Sequence, residues 1–318
     1  MHRIDLWLAL MVLIWGANFS VIKRCFEEIP PQPFNALRLI IASAVFYAGI
    51  RIARTRARAA GDKRSNVFST PHPLTTRDRW TLVWLGLVGH CAYQFCFVGG
   101  VALTSVSNAA LIIGCTPIVV AIASAALGRD RVRPLHWAGA AISVAGIYIV
   151  VGHGATFGGT TLRGDVLVIG SVACWAAYTI GASGLMRRHS PLYVTGMSMV
   201  IGAVPYVALA VPALIHMAWA TVSAWTWTML MLSALLALNA AYLIWYVGVQ
   251  KIGPARTAIY SNVVPVVAIA VAAIWLGEPL TPLKIAGASA VLAGVFLTRL
   301  ASRREGAFPF AAGSGKPT

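Results

Sequence analysis

Carboxylates are scarce in this chain, and those present avoid its apolar stretches. Asp and Glu number nine against 25 Lys and Arg in 318 residues. All nine (Asp5, Glu27, Glu28, Asp62, Asp78, Asp130, Asp165, Glu278 and Glu305) lie in polar segments or at the ends of apolar runs. No acid pair sits inside a run to work as general acid and base, there is no His-Glu-x-x-His sequence, and no Ser–His arrangement has motif support. Charge as a whole is low. Charged residues make up 11% and apolar residues 58%, where soluble domains have about 25% and 45–50%. A soluble core of this length does not need so little charge. The five cysteines (Cys25, Cys91, Cys96, Cys115, Cys174) are odd in number and contain no Cys-x-x-Cys spacing. Neither a disulfide framework nor a metal site is expected, and no motif asks for a cofactor.

What the chain has instead is long apolar runs. Crossing a bilayer takes about 20 such residues per helix, and ten runs qualify: 5–23, 33–52, 80–99, 104–127, 134–152, 164–186, 191–213, 225–249, 255–276 and 282–300. With their short connections they use nearly the whole chain, which leaves no room for a soluble catalytic domain. The net charge of +16 invites a nucleic-acid reading, but its distribution opposes one. With the N-terminus in the cytoplasm, twenty Lys and Arg fall on that side, eight of them between Arg51 and Arg79. Four (Lys23, Arg24, Arg163, Lys284) fall on the other side, and Arg38 alone lies within a run. This positive-inside bias predicts a multi-pass protein of the inner membrane, surrounded by lipid, with both termini cytoplasmic. The first run has the look of a signal peptide, but the repeat described next argues that it is retained.

The chain reads as a duplication. Residues 134–149, PLHWAGAAISVAGIYI, and 282–297, PLKIAGASAVLAGVFL, share seven identities in sixteen at an offset of 148. The same offset lays Pro117 on Pro265 and Asp130 on Glu278. Earlier in the chain, W-G-A-N at Trp15 matches W-A-A-Y at Trp175, and Pro33 matches Pro191. Runs one to five thus repeat as six to ten, giving expected units of 1–152 and 153–300 and a basic tail at 301–318. Five is odd, so the second unit enters the membrane from the opposite side. The expected fold is all-α: ten transmembrane helices as two inverted five-helix repeats around a central cavity, the arrangement of many secondary transporters. Duplication for packing alone, as a membrane scaffold, is the alternative.

Two segments also carry a family resemblance. W-G-A-N-F-S-V-I-K from Trp15 to Lys23, then the Pro-rich turn and Ala36, Leu37, Arg38 and Leu39, resembles the first repeat of EamA-type carriers of the drug/metabolite transporter superfamily. Leu276, Gly277, Glu278, Pro279, Leu280 and Thr281, followed by Gly287 and Gly294, resemble the end of the second repeat. The resemblance spans all ten runs and is similar to bacterial exporters of aromatic and neutral amino acids. It implies a ten-helix basket that works by alternating access. One departure is Gly128, Arg129 and Asp130, where the family usually reads Gly-Glu, so the cap there differs.

Candidate site residues come from depth and spacing. At 1.5 Å per residue Trp15 lies about 12 Å from Lys23, near the middle of a core about 30 Å thick. Trp15, Asn18, Phe19 and Ile22 share a face, and Trp175 and Tyr178 repeat its first two positions. His90, Tyr93 and Gln94 share a face in run three, and Asn239, Tyr242 and Tyr246 occupy the matching part of run eight. These side chains line a polar cavity or make helix–helix hydrogen bonds. The resemblance implies the cavity role for Tyr93, Trp15 and Trp175. Pro117 and Pro265 each free a carbonyl one turn back, on Ile113 and Ser261, and kink their helices. Tyr260 and Asn262 lie beside the second, and paired interruptions point to a substrate site and hinges. Arg38 binds a carboxylate, snorkels, or pairs with Glu27 or Glu28. Lys23 reads as an interface anchor. The missing midspan acid favours neutral or zwitterionic cargo over organic cations, and His90 is the titratable group at that depth suited to proton coupling.

The expected protein is a carrier that exports small metabolites, amino acids foremost, with a small-molecule substrate as its partner and no nucleic acid. Oligomeric state is not legible. A carrier of sugar phosphates or nucleotide sugars needs more cavity charge than Arg38 and Lys23 supply, and an intramembrane enzyme lacks its motif.

Overall fold

The computed structural model describes residues 3–59, 68, 73–126, 134–152, 160–186, 188–252, 260–261 and 263–303, which form helices, turns and short connections. The helices are α1 (Arg3–Cys25), α2 (Pro31–Ala59), α3 (Thr76–Gly86), α4 (Tyr93–Leu103), α5 (Val106–Gly114), α6 (Thr116–Ala126), α7 (Pro134–Gly152), α8 (Thr160–Leu185), α9 (Pro191–Ile215), α10 (Ala224–Leu232), α11 (Ala241–Ile252), α12 (Val264–Trp275) and α13 (Pro282–Arg303). Six helical stretches are long and apolar enough to cross a membrane. Shorter apolar helices at Val106–Val120, Trp137–Gly146, Val264–Trp275 and Pro282–Leu297 occupy the remaining four expected runs. The chain is a multi-pass membrane protein built from helices, the one open-ended solution that satisfies backbone N–H and C=O groups in hydrocarbon.

The sequence signals explain where helices begin. Pro31, Pro134, Pro191 and Pro282 each open a helix, where the missing N–H is one of the unpaired donors anyway. Thr75, Ser105, Ser190 and Ser223 are N-caps whose side chains accept from the third residue on. Helix α2 runs to Ala59, seven residues past the end of its apolar run, because the Arg/Ala-rich stretch after Arg51 has high helix propensity whatever its polarity.

Two departures from plain helices matter. The run at 80–99 is one continuous crossing from Thr76 to Leu103, but Leu87–Ala92 is wound as a π-helix between α3 and α4. The run at 225–249 contains a second π segment, Ser233–Ala240, between α10 and α11. At the 148-residue offset these segments correspond. Such bulges are rare and concentrate at functional sites. The run at 104–127 is not one kinked helix: α5 stops at Gly114 and α6 starts at Thr116. Pro117 therefore sits in the first turn of a new helix rather than inside an old one, and Pro265 likewise occupies the first turn of α12.

The last helices of the two repeats pack face to face through glycine. A Cβ on Gly146 would meet the Gly287 carbonyl at 2.7 Å, and one on Gly294 would meet the Gly139 carbonyl at 2.4 Å and Ser143 Oγ at 2.2 Å. Ser143 Oγ donates to the Val291 carbonyl at 3.1 Å. Gly139 and Gly287, and Gly146 and Gly294, are equivalents at the offset of 148. The contact therefore maps onto itself when the repeats are exchanged, with α7 and α13 antiparallel. Small residues let the backbones approach where lipid offers no hydrophobic drive. Replacing Gly294 with Ala should cost about 1–3 kcal/mol through overpacking, seen as a lowered unfolding temperature of the detergent-solubilised protein, while Gly49→Ala, with open space around its Cβ position, should leave it unchanged.

Candidate functional site

The apolar face of α1 that carries Trp15 and Asn18 turns inward, onto the π segment of the tenth and eleventh helices. Trp15 Nε1 donates to the Ala237 carbonyl at 3.1 Å, and Ser233 Oγ donates to Asn18 Oδ1. A π turn replaces the i→i+4 backbone bonds with i→i+5 ones, and here the Ala237 carbonyl also accepts from Trp15. Trp15 also meets the rings of Tyr242 at 5.9 Å and Trp245 at 5.8 Å. Phe19, one position on, meets Phe97 edge-on at 5.5 Å.

An aromatic cluster grows from this contact. Trp175 stands 5.6 Å from Tyr242, 5.6 Å from Tyr178 and 5.1 Å from Tyr93, and Tyr93 stacks on Phe97 at 5.7 Å. His90, in the first π segment, is 5.1 Å from Tyr178 and 6.3 Å from Tyr242. Tyr178 is buried with its hydroxyl 3.4 Å from Ser198 Oγ. Two glycines admit these rings. A Cβ on Gly89 would lie 2.1 Å from the Tyr178 ring, and one on Gly202 would lie 2.2 Å from the Gly86 carbonyl and 2.7 Å from His90 Cβ. Helix α9 thus presses its backbone against the first π segment. Trp15, Tyr93 and Trp175 stay half-buried, whereas His90, Tyr178 and Tyr242 are enclosed.

Polar atoms without partners gather around the same rings. Both ring nitrogens of His90, Gln94 Oε1, Asn239 Oδ1, Asn35 Nδ2 and Arg38 Nε are buried and make no hydrogen bond. Arg38 is fully enclosed, donates from Nη1 to Asn35 Oδ1 at 3.1 Å and lies over the Phe34 ring. It makes no ion pair with Glu27 or Glu28. Glu27 is bound by Arg24 and Glu28 by Ser223. Asn239 Nδ2 donates to the Ala42 carbonyl at 3.0 Å, one turn past Arg38 on α2. Each unpaired buried polar group costs roughly 1–3 kcal/mol.

Of the residues expected from sequence, Trp15, Asn18, Arg38, His90, Tyr93, Gln94, Trp175, Tyr178, Asn239 and Tyr242 come together here. Tyr260 does not. Its hydroxyl donates to Asp5 Oδ1 at 2.8 Å, about 15 Å along α1 from Trp15 at 1.5 Å per residue. Asn262 and the Gly128–Asp130 stretch lie outside the described residues. The carbonyl of Ile113 that Pro117 frees is taken by the hydroxyl of Thr116 at 2.6 Å. The two helix breaks meet: a Cβ on Gly114 would lie 2.8 Å from Pro265 Cγ. Sequence reading missed Asn35, Trp245 and Tyr206, whose hydroxyl donates to Gln32 Oε1. It also missed both π segments; the only written hint is Gly86 and Gly89 beside His90.

Both ends of the bundle are latched by charge. Lys23 Nζ donates to the carbonyls of Val101, Ala102 and Thr104 at 2.7–2.9 Å, neutralising the C-terminal end of α4. Gly277, at φ 67°, turns the chain after α12 so that Glu278 accepts from Val106 N, Ser107 N and Ser107 Oγ at 2.6–3.1 Å, capping α5. Glu28 accepts from Ser223 N at 2.7 Å and Ser223 Oγ at 2.8 Å, at the start of α10. At the opposite end Asp78, in the capping box of α3, is gripped by Arg188 and by His189 Nε2 at 3.2 Å. Glu28 and Arg188 are equivalents at the 160-residue offset, and Ser223 and Thr75 at 148. The two latches are therefore the same contact made by opposite repeats. Beside the first, a cleft of about 370 Å³ is lined by Arg24, Glu27, Glu28, Ser223, Trp225 and Trp275.

A model of the EamA-like transporter family matches residues 2–152 and again 162–300. A probable amino-acid metabolite efflux pump of Salmonella typhimurium is 27% identical over 312 residues, covering 93% of this chain and 95% of that one. A probable terminal-alkyne amino-acid exporter of Streptantibioticus cattleyicolor is 26% identical, covering 95% and 96%. An uncharacterized transporter of Bacillus subtilis is 25% identical over 93% of each chain. One solved crystal structure superimposes with a TM-score of 0.63 at 18% identity, over 95% of this chain and 98% of that one, a likeness of fold.

The latch at Glu28 predicts a pH dependence. The Ser223 backbone N–H, then its hydroxyl, hold the Glu28 carboxyl below its ordinary value of 4.5. A depressed acid stabilises the fold in full above that ordinary value and loses its contribution as pH falls through the lower folded value. Thermal unfolding followed from pH 7 to pH 3 should show part of the acid destabilisation disappear in Glu28→Gln.

Proposed function

The chain belongs to the EamA-like transporter family, and from that premise we propose that it exports small amphipathic metabolites, amino acids foremost, by alternating access. The observation that carries the reading is the aromatic cluster with unpaired polar atoms around it, drawn from α1, α2, α4, α8, α11 and both π segments. Ligand sites are mostly apolar with a few placed polar groups, and a midspan location between repeats is where such carriers bind cargo. In this reading the four shorter apolar helices are the remaining crossings, giving ten helices as two inverted repeats, 1–152 and 153–300, with the tail at 301–318. The self-matching contact of α7 with α13 supports that symmetry. The positive-inside bias supports an inner-membrane orientation with both termini cytoplasmic, which puts the Glu28 latch outside and the Asp78 latch inside. Opening one side then requires breaking one latch while its equivalent holds. The meeting point of Gly114 and Pro265 is the hinge about which the broken helices swing.

The relatives' names support amino-acid cargo, and no residue constellation here supports an enzyme. Carriage of sugar phosphates is disfavoured by one further observation. Lys23 caps a helix, which among the described residues leaves Arg38 as the cation near the cluster.

Purified protein in proteoliposomes should move radiolabelled neutral or aromatic amino acids down an imposed gradient, and movement of another solute with no amino acid moved would overturn the cargo. Tyr242→Ala should lower that flux about tenfold or more at unchanged membrane expression, and Pro117→Ala with Pro265→Ala should lower it at unchanged cargo affinity.

A further inference from the structure

The buried guanidinium of Arg38 has no carboxylate of its own. Every acid among the described residues is engaged elsewhere: Asp5 with Tyr260, Glu27 with Arg24, Glu28 with Ser223, Asp78 with Arg188 and His189, Asp165 with Thr104 and Glu278 with Ser107. Arg38 is 1% exposed, so it does not reach water by snorkelling. It has one hydrogen bond for five N–H donors. A buried charge persists where it is paired, and among the described residues this one has the Asn35 carbonyl oxygen and the Phe34 ring but no carboxylate.

Beside the His90 ring nitrogens and the Ser43 hydroxyl, which can take either role, four of the buried unpaired atoms have a fixed one. Arg38 Nε and Asn35 Nδ2 are orphaned donors on residues joined to each other by a hydrogen bond. Gln94 Oε1 and Asn239 Oδ1 are orphaned acceptors, 2% and 9% exposed as residues. Asn239 is anchored on the Ala42 carbonyl, four residues from Arg38, about 6 Å along the helix. Gln94 follows Tyr93 on α4, a helix packed against α2, and the Tyr93 ring stands 5.1 Å from Trp175. Donors cluster on α2, and acceptors stand on α4 and the second π segment.

We propose that Arg38 and Asn35 form a carboxylate subsite, and that the Gln94 and Asn239 carbonyl oxygens receive an ammonium group, so that the cargo must be a zwitterion with a free carboxylate. The proposal rests on the transport reading above and names its substrate class. The planar guanidinium binds a carboxylate through two parallel bonds, which a lysine does not reproduce. Side-chain identity is then left to the apolar rings, whose discrimination is weak, while a missing carboxylate leaves a buried cation unpaired and is rejected strongly.

The test is competition in proteoliposomes loaded with the wild-type protein, using two series: phenylalanine, phenylalaninamide and phenethylamine; and leucine and leucinamide. The amide and amine are expected to compete about a hundredfold more weakly than the parent acid. Arg38→Gln should erase most of that preference by weakening the acid alone, and Arg38→Lys should restore part of it. Wild-type protein that moves phenylalanine or leucine yet accepts the amide equally well overturns the subsite and leaves the transport reading standing. So does an Arg38→Gln protein that keeps the full preference. Wild-type protein that moves neither amino acid while moving another solute overturns both. The wild-type series decides the question even where Arg38→Gln fails to reach the membrane.

Discussion

Hydrocarbon offers no hydrogen bonds, and most of what is distinctive here follows from that constraint. Inside a bilayer every backbone donor and acceptor needs a partner within the protein. Helices meet the demand along their length and fail at their ends and at every irregularity. The chain's few charges are accordingly placed at helix ends. Lys23 closes the carbonyls of α4, Glu278 the amides of α5, Glu28 those at the start of α10 and Asp78 those of α3. Scarcity of acid and precision of its use are two sides of one requirement.

The same requirement makes the exceptions informative. A π segment loosens its own bonding, and both π segments lie against the aromatic cluster, where Ser233 and Ala237 serve Asn18 and Trp15. Helix breaks at Cys115 and before Val264 bring Gly114 onto Pro265. The two repeats meet through regular helices at α7 and α13 and through irregular segments around the aromatic cluster. Unpaired polar atoms of His90, Gln94, Asn239, Asn35 and Arg38 collect around that cluster. Other buried hydroxyls divide: Ser171 and Thr179 donate to local carbonyls, while Ser20, Ser43 and Thr195 have no partner.

Duplication accounts for the placement of both latches. Each connects the turn after the first helix of one repeat to the start of the third crossing of the other. The chemistry is inverted between them: a loop carboxylate on a serine cap at Glu28, a loop arginine and histidine on a capping aspartate at Asp78. Equivalent positions thus carry different chemistry, a carboxylate on neutral donors at one end and an ion pair at the other, and only the second pairs opposite charges that salt screens.

The membrane class and the two-repeat organisation were legible in the sequence, because composition, apolar run length and an offset of 148 residues are properties of the chain as a string. The face of Trp15 and Asn18 was legible for the same reason: helical spacing fixes which residues stand together on one helix. Which helices those faces meet was not. Tertiary packing alone brought Trp15 to Tyr242 and Trp175 to Tyr93, and it alone sent Tyr260 away to Asp5. The π segments were illegible because a wide turn leaves the apolar pattern of a span intact, and the close approach of Gly202 to Gly86 beside the first of them joins residues far apart in the chain. Arg38 shows the division most sharply. Its position inside an apolar run was written in the sequence, but that it has no acid beside it depends on where Glu27 and Glu28 turn, and those turns are set by Arg24 and by the start of α10.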